Sequence, residues 1–301
     1  MRITLLGGCL AIAMALPAFS QDVTIETALG PTTLPANPQT VAVFDIAALD
    51  TLAALGITVA GVTDKVYLNS LAPVAAQATV IGTLFEPDFE ALAVMQPDLI
   101  VAGGRSSTQI EALSGFAPTI DMTISGEAIG AQARARIAAY GTLFSVEDRA
   151  EALAQSLDTK FAEAQDAVAN KGDALILLTN GGKISAYGAN SRFGWLHAEI
   201  GLPEAVEGLE TETHGQAVSF EFVAEADPDW LLVVDRGAAI GAETEAGAAT
   251  LDNPLIAGTK AAQSGRILYL DATPLYIAGG GASSMMQTLD QIVMAFGADG
   301  N

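Results

Sequence analysis

Residues 88–105 read DFEALAVMQPDLIVAGGR, and residues 219–236 read SFEFVAEADPDWLLVVDR, the same phrase repeated at a constant offset of 131 residues. Phe89 and Glu90 recur as Phe220 and Glu221, Pro97 and Asp98 as Pro228 and Asp229, and Arg105 as Arg236. The shared pattern is F-E-x6-P-D-x6-R, and its recurrence in one frame is improbable by chance. It implies two similar lobes, each presenting one Glu and one Arg at matching places. Such an arrangement suits something gripped between the lobes.

The phrase has a physical reading. Asp88 and Ser219 are helix caps, and the Glu that follows favours the positive end of the helix. Pro97 and Pro228 stop the helix, because proline disfavours helical geometry in the residue before it. Short buried-type strands follow, Leu99 to Ala102 and Leu231 to Val234. Each arginine therefore falls just past a strand's carboxyl end, the edge where open α/β sheets bind ligands. The glutamates sit at the other end of the helix and are expected to face away from that edge.

The rest of the chain extends this pattern. Residues 21–40 read as a leading hairpin with Gly30-Pro31 as its turn. Strands near Val41–Phe44, Val59–Val62, Val80–Gly82, Leu99–Ala102 and Thr119–Met122 alternate with helical stretches, which predicts a largely parallel sheet. Ala128–Leu143 is expected to be helical. Glu147–Asn170 is a longer helical pattern free of proline and glycine. After Gly172 the alternation restarts with Ala174–Thr179, Lys183–Tyr187, Leu231–Val234 and Ile267–Leu270, and a last helix covers about 284–296. The expected fold class is α/β: two similar α/β lobes joined by a single long helix, with the ligand cleft between them. The expected units are 21–143, a connecting helix over 144–171, and 172–301.

Residues 1–20 read as an export signal, with Arg2, an apolar run from Ile3 to Pro17, and the small-x-small site Ala18-Phe19-Ser20 before Gln21. Leu6-Gly7-Gly8-Cys9 faintly resembles a lipoprotein box, but the apolar run continues past Cys9, which argues against a lipid anchor. Cys9 is the only cysteine, so the exported chain has no disulfide and must rely on its core. The formal charge of −22 argues against nucleic acid or an anionic membrane as partner. In so acidic a chain each arginine is informative: seven follow residue 20, and two of them sit in the repeated phrase.

Nucleophile elbow, P-loop, H-E-x-x-H and C-x-x-C motifs are all missing. Of the two histidines, His197 lies in an apolar helical run and reads as a core or surface residue with no site role. His214 lies in the polar loop Thr213-His214-Gly215, just before the second phrase. Tyr276 follows the last strand and precedes the last helix, again at a strand's carboxyl edge. Arg192, in the loop Gly188-Ala189-Asn190-Ser191-Arg192-Phe193-Gly194, could join Arg105 and Arg236 in a cluster of three cations. Arginine's planar fork suits an oxygen-rich, multiply charged anion.

Several long segments carry a resemblance: SRFGWLHAEIG, THGQAVSFEFVAEADPDWLLVVDR, LDNPLIAGTKAAQSGRILYLD and LYIAGGG, with VAVFDIAALDTLAALGI and GTLFEPDFEALAVMQPDLIVAGGR in the first half. The chain resembles the periplasmic ferric-siderophore-binding proteins of bacterial ABC importers, in the catecholate and petrobactin branch, over nearly its full length after residue 20. The resemblance implies a periplasmic, monomeric binding protein, not an enzyme, with no intrinsic cofactor and with Fe³⁺ carried as a siderophore complex. Members grip the catecholate iron complex with three arginines, which fall here on Arg105, Arg192 and Arg236. Where the siderophore is tetradentate, a His and a Tyr complete the iron sphere, and the matching positions are His214 and Tyr276. An aromatic often precedes that Tyr, where this chain has Leu275. One surface Glu per lobe docks on the permease, which works with its ATPase, and Glu90 and Glu221 match those positions. A haem or cobalamin carrier of the same fold is the alternative, against which the arginine triad argues. An exported metal-binding protein or enzyme is a third reading, weakened by the missing motifs.

Overall fold

The structure, a computed structural model, describes residues 21–209 and 215–298. The expected export segment, residues 1–20, and His214 lie outside the described residues. The chain opens with an antiparallel hairpin of β1 (Asp22–Thr27) and β2 (Gly30–Pro35). Its tip is Ala28-Leu29, slightly before the expected Gly30-Pro31. Gly30 turns the chain at φ +100° and its carbonyl accepts from Thr27 Oγ1 at 2.7 Å. Pro31 is then free to sit in a two-stranded ribbon, where a missing N–H costs little.

The first sheet has the order β5 (Thr79–Val80), β4 (Gly61–Val62), β3 (Val41–Val43), β6 (Leu99–Ala102), β7 (Thr119–Asp121), and every pair in it is parallel. All four residues of β6 are buried, as expected of a strand covered on both faces. The second sheet has the order β10 (Gln216–Val218), β9 (Lys183–Tyr187), β8 (Ala174–Asn180), β11 (Trp230–Asp235), β12 (Ile267–Leu270). Here β8, β11 and β12 run parallel, but β9 is antiparallel to both β8 and β10. The expected alternation of strand and helix fails between β8 and β9. Gly181 and Gly182, at φ +55° and +78°, close a two-residue hairpin instead.

The repeated phrase folds the same way twice. Asp88 accepts from the N–H groups of Glu90 and Ala91 at 3.0 and 2.9 Å, and Ser219 from that of Phe222 at 3.3 Å. The helices Phe89–Met95 and Phe220–Ala226 then end at Gln96 and Asp227, left-handed at φ 50° and 43°. The residue before each proline thus leaves the helix by a left-handed cap and not by extension. The aspartate after each proline ties its strand to the neighbouring one. Asp98 Oδ2 accepts from Gln39 and Thr40 N–H at 2.9 and 2.8 Å, and Asp229 exchanges bonds with Asp173.

The helix Glu147–Val168 links the two sheets in sequence. It buries Ala150, Leu157, Phe161, Ala164 and Val168, a single stripe at helical spacing. It packs against the helix Ile129–Leu143 on the amino-terminal side and the last helix, Ala282–Ala298, on the carboxyl-terminal side. One apolar cluster runs from Ile25 to Phe296 through the inner faces of both sheets, while smaller clusters back each sheet on its outer face. Across the lobes, Asp50 Oδ2 accepts from the Ser284 N–H at 3.0 Å, Thr51 Oγ1 from the Ala282 N–H at 3.1 Å, and the Ile240 carbonyl from Lys65 Nζ at 2.7 Å.

Candidate functional site

The site is built on the carboxyl edges of both sheets. After β6, Gly103 and Gly104 let the chain turn tightly into the short helix Gly104–Gln109 that carries Arg105. A side chain on Gly103 would lie 3.0 Å from the Thr123 nitrogen and 3.3 Å from the Asp45 carboxyl carbon, a close approach that favours glycine. After β11, Asp235 caps the helix Arg236–Ile240 by accepting from the Ala238 N–H at 3.1 Å, which starts the helix at Arg236 itself. After β12, Tyr276 ends the helix Ala272–Tyr276. Arg192 is held in a loop fastened by Ser191, whose hydroxyl donates to the Gly188 carbonyl at 2.6 Å.

The three arginines meet at Tyr276. Arg105 Nη2 donates to its carbonyl at 3.0 Å and Nη1 to that of Ile277 at 3.3 Å; Arg192 Nη2 donates to the Tyr276 carbonyl at 2.8 Å. Arg236 Nε donates to the Tyr276 hydroxyl at 3.2 Å, and Nη1 to Asn180 Oδ1 at 3.4 Å. The guanidinium carbons of Arg192 and Arg105 stand 4.3 and 5.4 Å from the centre of the tyrosine ring. Among the described residues, none of the three forms an ion pair with a carboxylate. Three partly buried cations in one place, held among the described residues by carbonyls, a hydroxyl and the rings of Tyr276 and Phe193, make a site of positive potential.

That potential acts on the groups inside it. Burial pushes the Tyr276 hydroxyl up, but the Arg236 hydrogen bond and the charges of Arg192, Arg236 and Arg105 outweigh it, so the group lies below the usual tyrosine value. Burial pulls Arg192 down, and the nearby charge of Arg105 acts in the same direction.

A cleft of about 640 Å³ opens at this point, lined by residues of both lobes that include Asp45, Phe85, Arg105, Thr123, Arg192, Trp195, Leu275 and Tyr276. Arg236 is not among its lining residues; it reaches the cleft through the Tyr276 hydroxyl. A second hollow of about 490 Å³ lies at the opposite, amino-terminal end of β6, around Pro97 and Asp98. It lacks cations and has no part in the arginine cluster.

Asp45 was not foreseen from the sequence. It caps the helix Ile46–Ala54, its Oδ1 accepting from the Ala48 N–H at 2.7 Å, and it lines the cleft beside Arg105. Burial raises its pKa, the Ala48 hydrogen bond and Arg105 lower it, Asp121 raises it, and the net direction is upward. Its position two residues past the end of β3 is the same strand-end signal that marked the arginines. Of the core or surface role expected for His197, the structure shows the core one: it is buried, with Nδ1 2.8 Å from the Leu202 carbonyl.

Glu90 and Glu221 are both exposed, each in the first turn of its helix. The expectation that they face away from the ligand edge is corrected. The Asp88 N–H donates to the Ile81 carbonyl, just past the carboxyl end of β5. Ser219 directly follows β10, which lies antiparallel to β9 and therefore runs in the direction of β8 and β11. Helices that return antiparallel to their strands begin at the carboxyl edge, so both glutamates stand on the cleft side. Each follows the outermost strand of its sheet.

A profile described as periplasmic binding protein matches residues 41–274. The chain belongs to the periplasmic binding protein family. Among members of this family, the petrobactin-binding protein YclQ of Bacillus subtilis is 34% identical over 266 residues, covering 87% of this chain and 83% of YclQ. The ferric-anguibactin-binding protein FatB of Vibrio anguillarum is 28% identical over 302 residues, covering 97% and 94%. The crystal structure of the periplasmic catecholate-siderophore-binding protein VctP of Vibrio cholerae superposes with a TM-score of 0.82 at 34% identity, covering 90% of this chain and 99% of VctP. These matches bear out the expected family and the two-lobed α/β fold.

Proposed function

We propose that this protein is an extracytoplasmic carrier that captures the ferric complex of a catecholate-type siderophore and delivers it to an ABC permease and its ATPase. The observation that carries the reading is the convergence of Arg105, Arg192 and Arg236 on Tyr276, with no carboxylate ion pair to any of the three among the described residues. A ferric catecholate is a compact anion rich in oxygen acceptors, and guanidinium groups answer it with charge-assisted hydrogen bonds. The relatives named for ferric or catecholate siderophores support the same class of cargo. The carrier makes and breaks no covalent bond. Residues 21–143 and 172–301 act as the two lobes and 144–171 as their connector, with residues 1–20 removed on export.

In this reading Tyr276 offers a phenolate oxygen to iron when the siderophore leaves coordination positions open. Fe³⁺ is a hard ion that accepts phenolate and imidazole, and His214 is the second donor proposed. Glu90 and Glu221 are the docking points for the permease, one per lobe.

The test is titration of the purified monomer with a ferric bis-catecholate, a ferric tris-catecholate, ferric citrate and haem, followed by tryptophan fluorescence. Trp195 lines the cleft and reports occupancy. Quenching by the catecholates at lower concentration than by haem is expected; preference for haem, or no response to any ferric complex, overturns the reading.

A further inference from the structure

Three aromatic rings border the cleft, and two are already engaged. Trp195 is 3% exposed and sets its ring edge-on to Phe161, with centroids 5.7 Å apart. The Tyr276 ring carries Arg192 and Arg105 near its faces. The third, Phe85, is 57% exposed, and among the described residues its ring meets no other ring and no cation.

This exposure is built in. Thr83 Oγ1 accepts from the Phe85 and Glu86 N–H groups at 3.1 and 3.0 Å, and the Thr83 N–H donates to the Glu86 carbonyl at 2.9 Å. Gly82, at φ +114°, closes the loop so tightly that a side chain there would lie 2.4 Å from the Glu86 carbonyl oxygen. Gln109, the last residue of the short helix that carries Arg105, donates through Nε2 to the Phe85 carbonyl at 3.2 Å. The loop bearing Phe85 is thus fastened to the element bearing Arg105, which sets the backbone from which the ring projects beside the cation.

We propose that Phe85 is the residue with which the cleft selects aryl ligands: its ring stacks on a catechol ring of the complex whose charge Arg105 and Arg192 hold. An aromatic pair of this kind adds free energy beyond the area it buries, and an aryl-free iron complex of similar charge gains none of it. The proposal rests on the functional reading above and adds the recognition of the ligand's ring to that of its charge.

The experiment compares the wild-type protein with Phe85→Ala, Phe85→Leu and Phe85→Tyr, using the ferric complex of a synthetic bis-catecholate and, in parallel, whole-cell uptake. Phe85→Ala is expected to weaken catecholate binding about threefold to tenfold. Phe85→Leu should recover little of the loss and Phe85→Tyr most of it, because only the latter keeps a ring. Wild-type affinity in Phe85→Ala, or full recovery in Phe85→Leu, overturns the proposal while leaving the carrier function standing. Uptake lost with affinity intact would put Phe85 on the docking face and also overturns it. A wild-type protein that binds no ferric catecholate overturns the functional reading, and this one with it.

Discussion

Arg236 Nε donates to the Tyr276 hydroxyl at 3.2 Å, while Arg105 and Arg192 hold the carbonyl of the same residue. One tyrosine therefore couples all three cations. Replacing any one arginine with Ala should weaken ferric-catecholate binding by about 1–3 kcal/mol, the scale of charge-assisted hydrogen bonds. Because the three share a partner, a double variant should lose less than the sum of its singles. Isothermal titration of the singles and doubles checks both statements, and unchanged affinity in all three singles would falsify the anion site.

Tyr276→Phe keeps the ring between the arginines and removes the oxygen. With a tetradentate bis-catecholate the expected result is a shifted charge-transfer band and lower affinity. With a hexadentate tris-catecholate, whose iron has no vacant position, the spectrum should stay as in the wild type. Equal spectra for wild type and variant with both complexes would reduce the site to an electrostatic cradle.

The glutamates give a prediction of the opposite kind. Glu90→Ala and Glu221→Ala leave the cleft untouched, so binding in solution should match the wild type while uptake by cells falls. Parallel loss of affinity and uptake in the purified variants would remove these residues from any docking role.

Asp50 supplies a pH dependence. Burial raises its pKa from the usual 3.8 to about 6, against the opposing hydrogen bonds from Ser284 and Ser283. The folded state thus holds the proton more tightly than the unfolded one. The resulting stabilisation is fully present below pH 3.8 and is lost as pH rises through about 6. The loss is on the order of 3 kcal/mol. Asp50→Asn keeps an acceptor for the Ser284 N–H and cannot ionise. Relative to this variant the wild type should lose stability between pH 4 and pH 7, as read by urea unfolding. Parallel curves across that range would rule the assignment out.

Much of this was legible because it is local. The caps Asp88 and Ser219, the strands they precede and the strand-end arginines all follow from residues within one phrase. The hairpin at Gly181-Gly182 was legible in principle, since two glycines between apolar runs favour a two-residue turn, but the repeating strand-helix rhythm concealed it. The position of Glu90 and Glu221 was misread because a helix's direction depends on the strand before it as well as the one after it. The Asp50–Ser284 bond joins residues 234 positions apart, and nothing in either neighbourhood announces the other. Nothing in the sequence around Phe85 marks it as a cleft residue, because its place there depends on a turn around Thr83 and a bond from Gln109 24 positions away.

The helix Glu147–Val168, 22 residues and roughly 33 Å long, is clamped by a helix from each side. If this bracing limits hinge motion, the carrier changes little in outline when it loads. If Glu90 and Glu221 are the points a transporter touches, their spacing is nearly the same on full and empty molecules. Empty carriers then compete for the same berth as loaded ones. Iron intake by such a system would peak at an intermediate amount of carrier, and overproducing the protein beyond the supply of cargo would slow traffic into the cell.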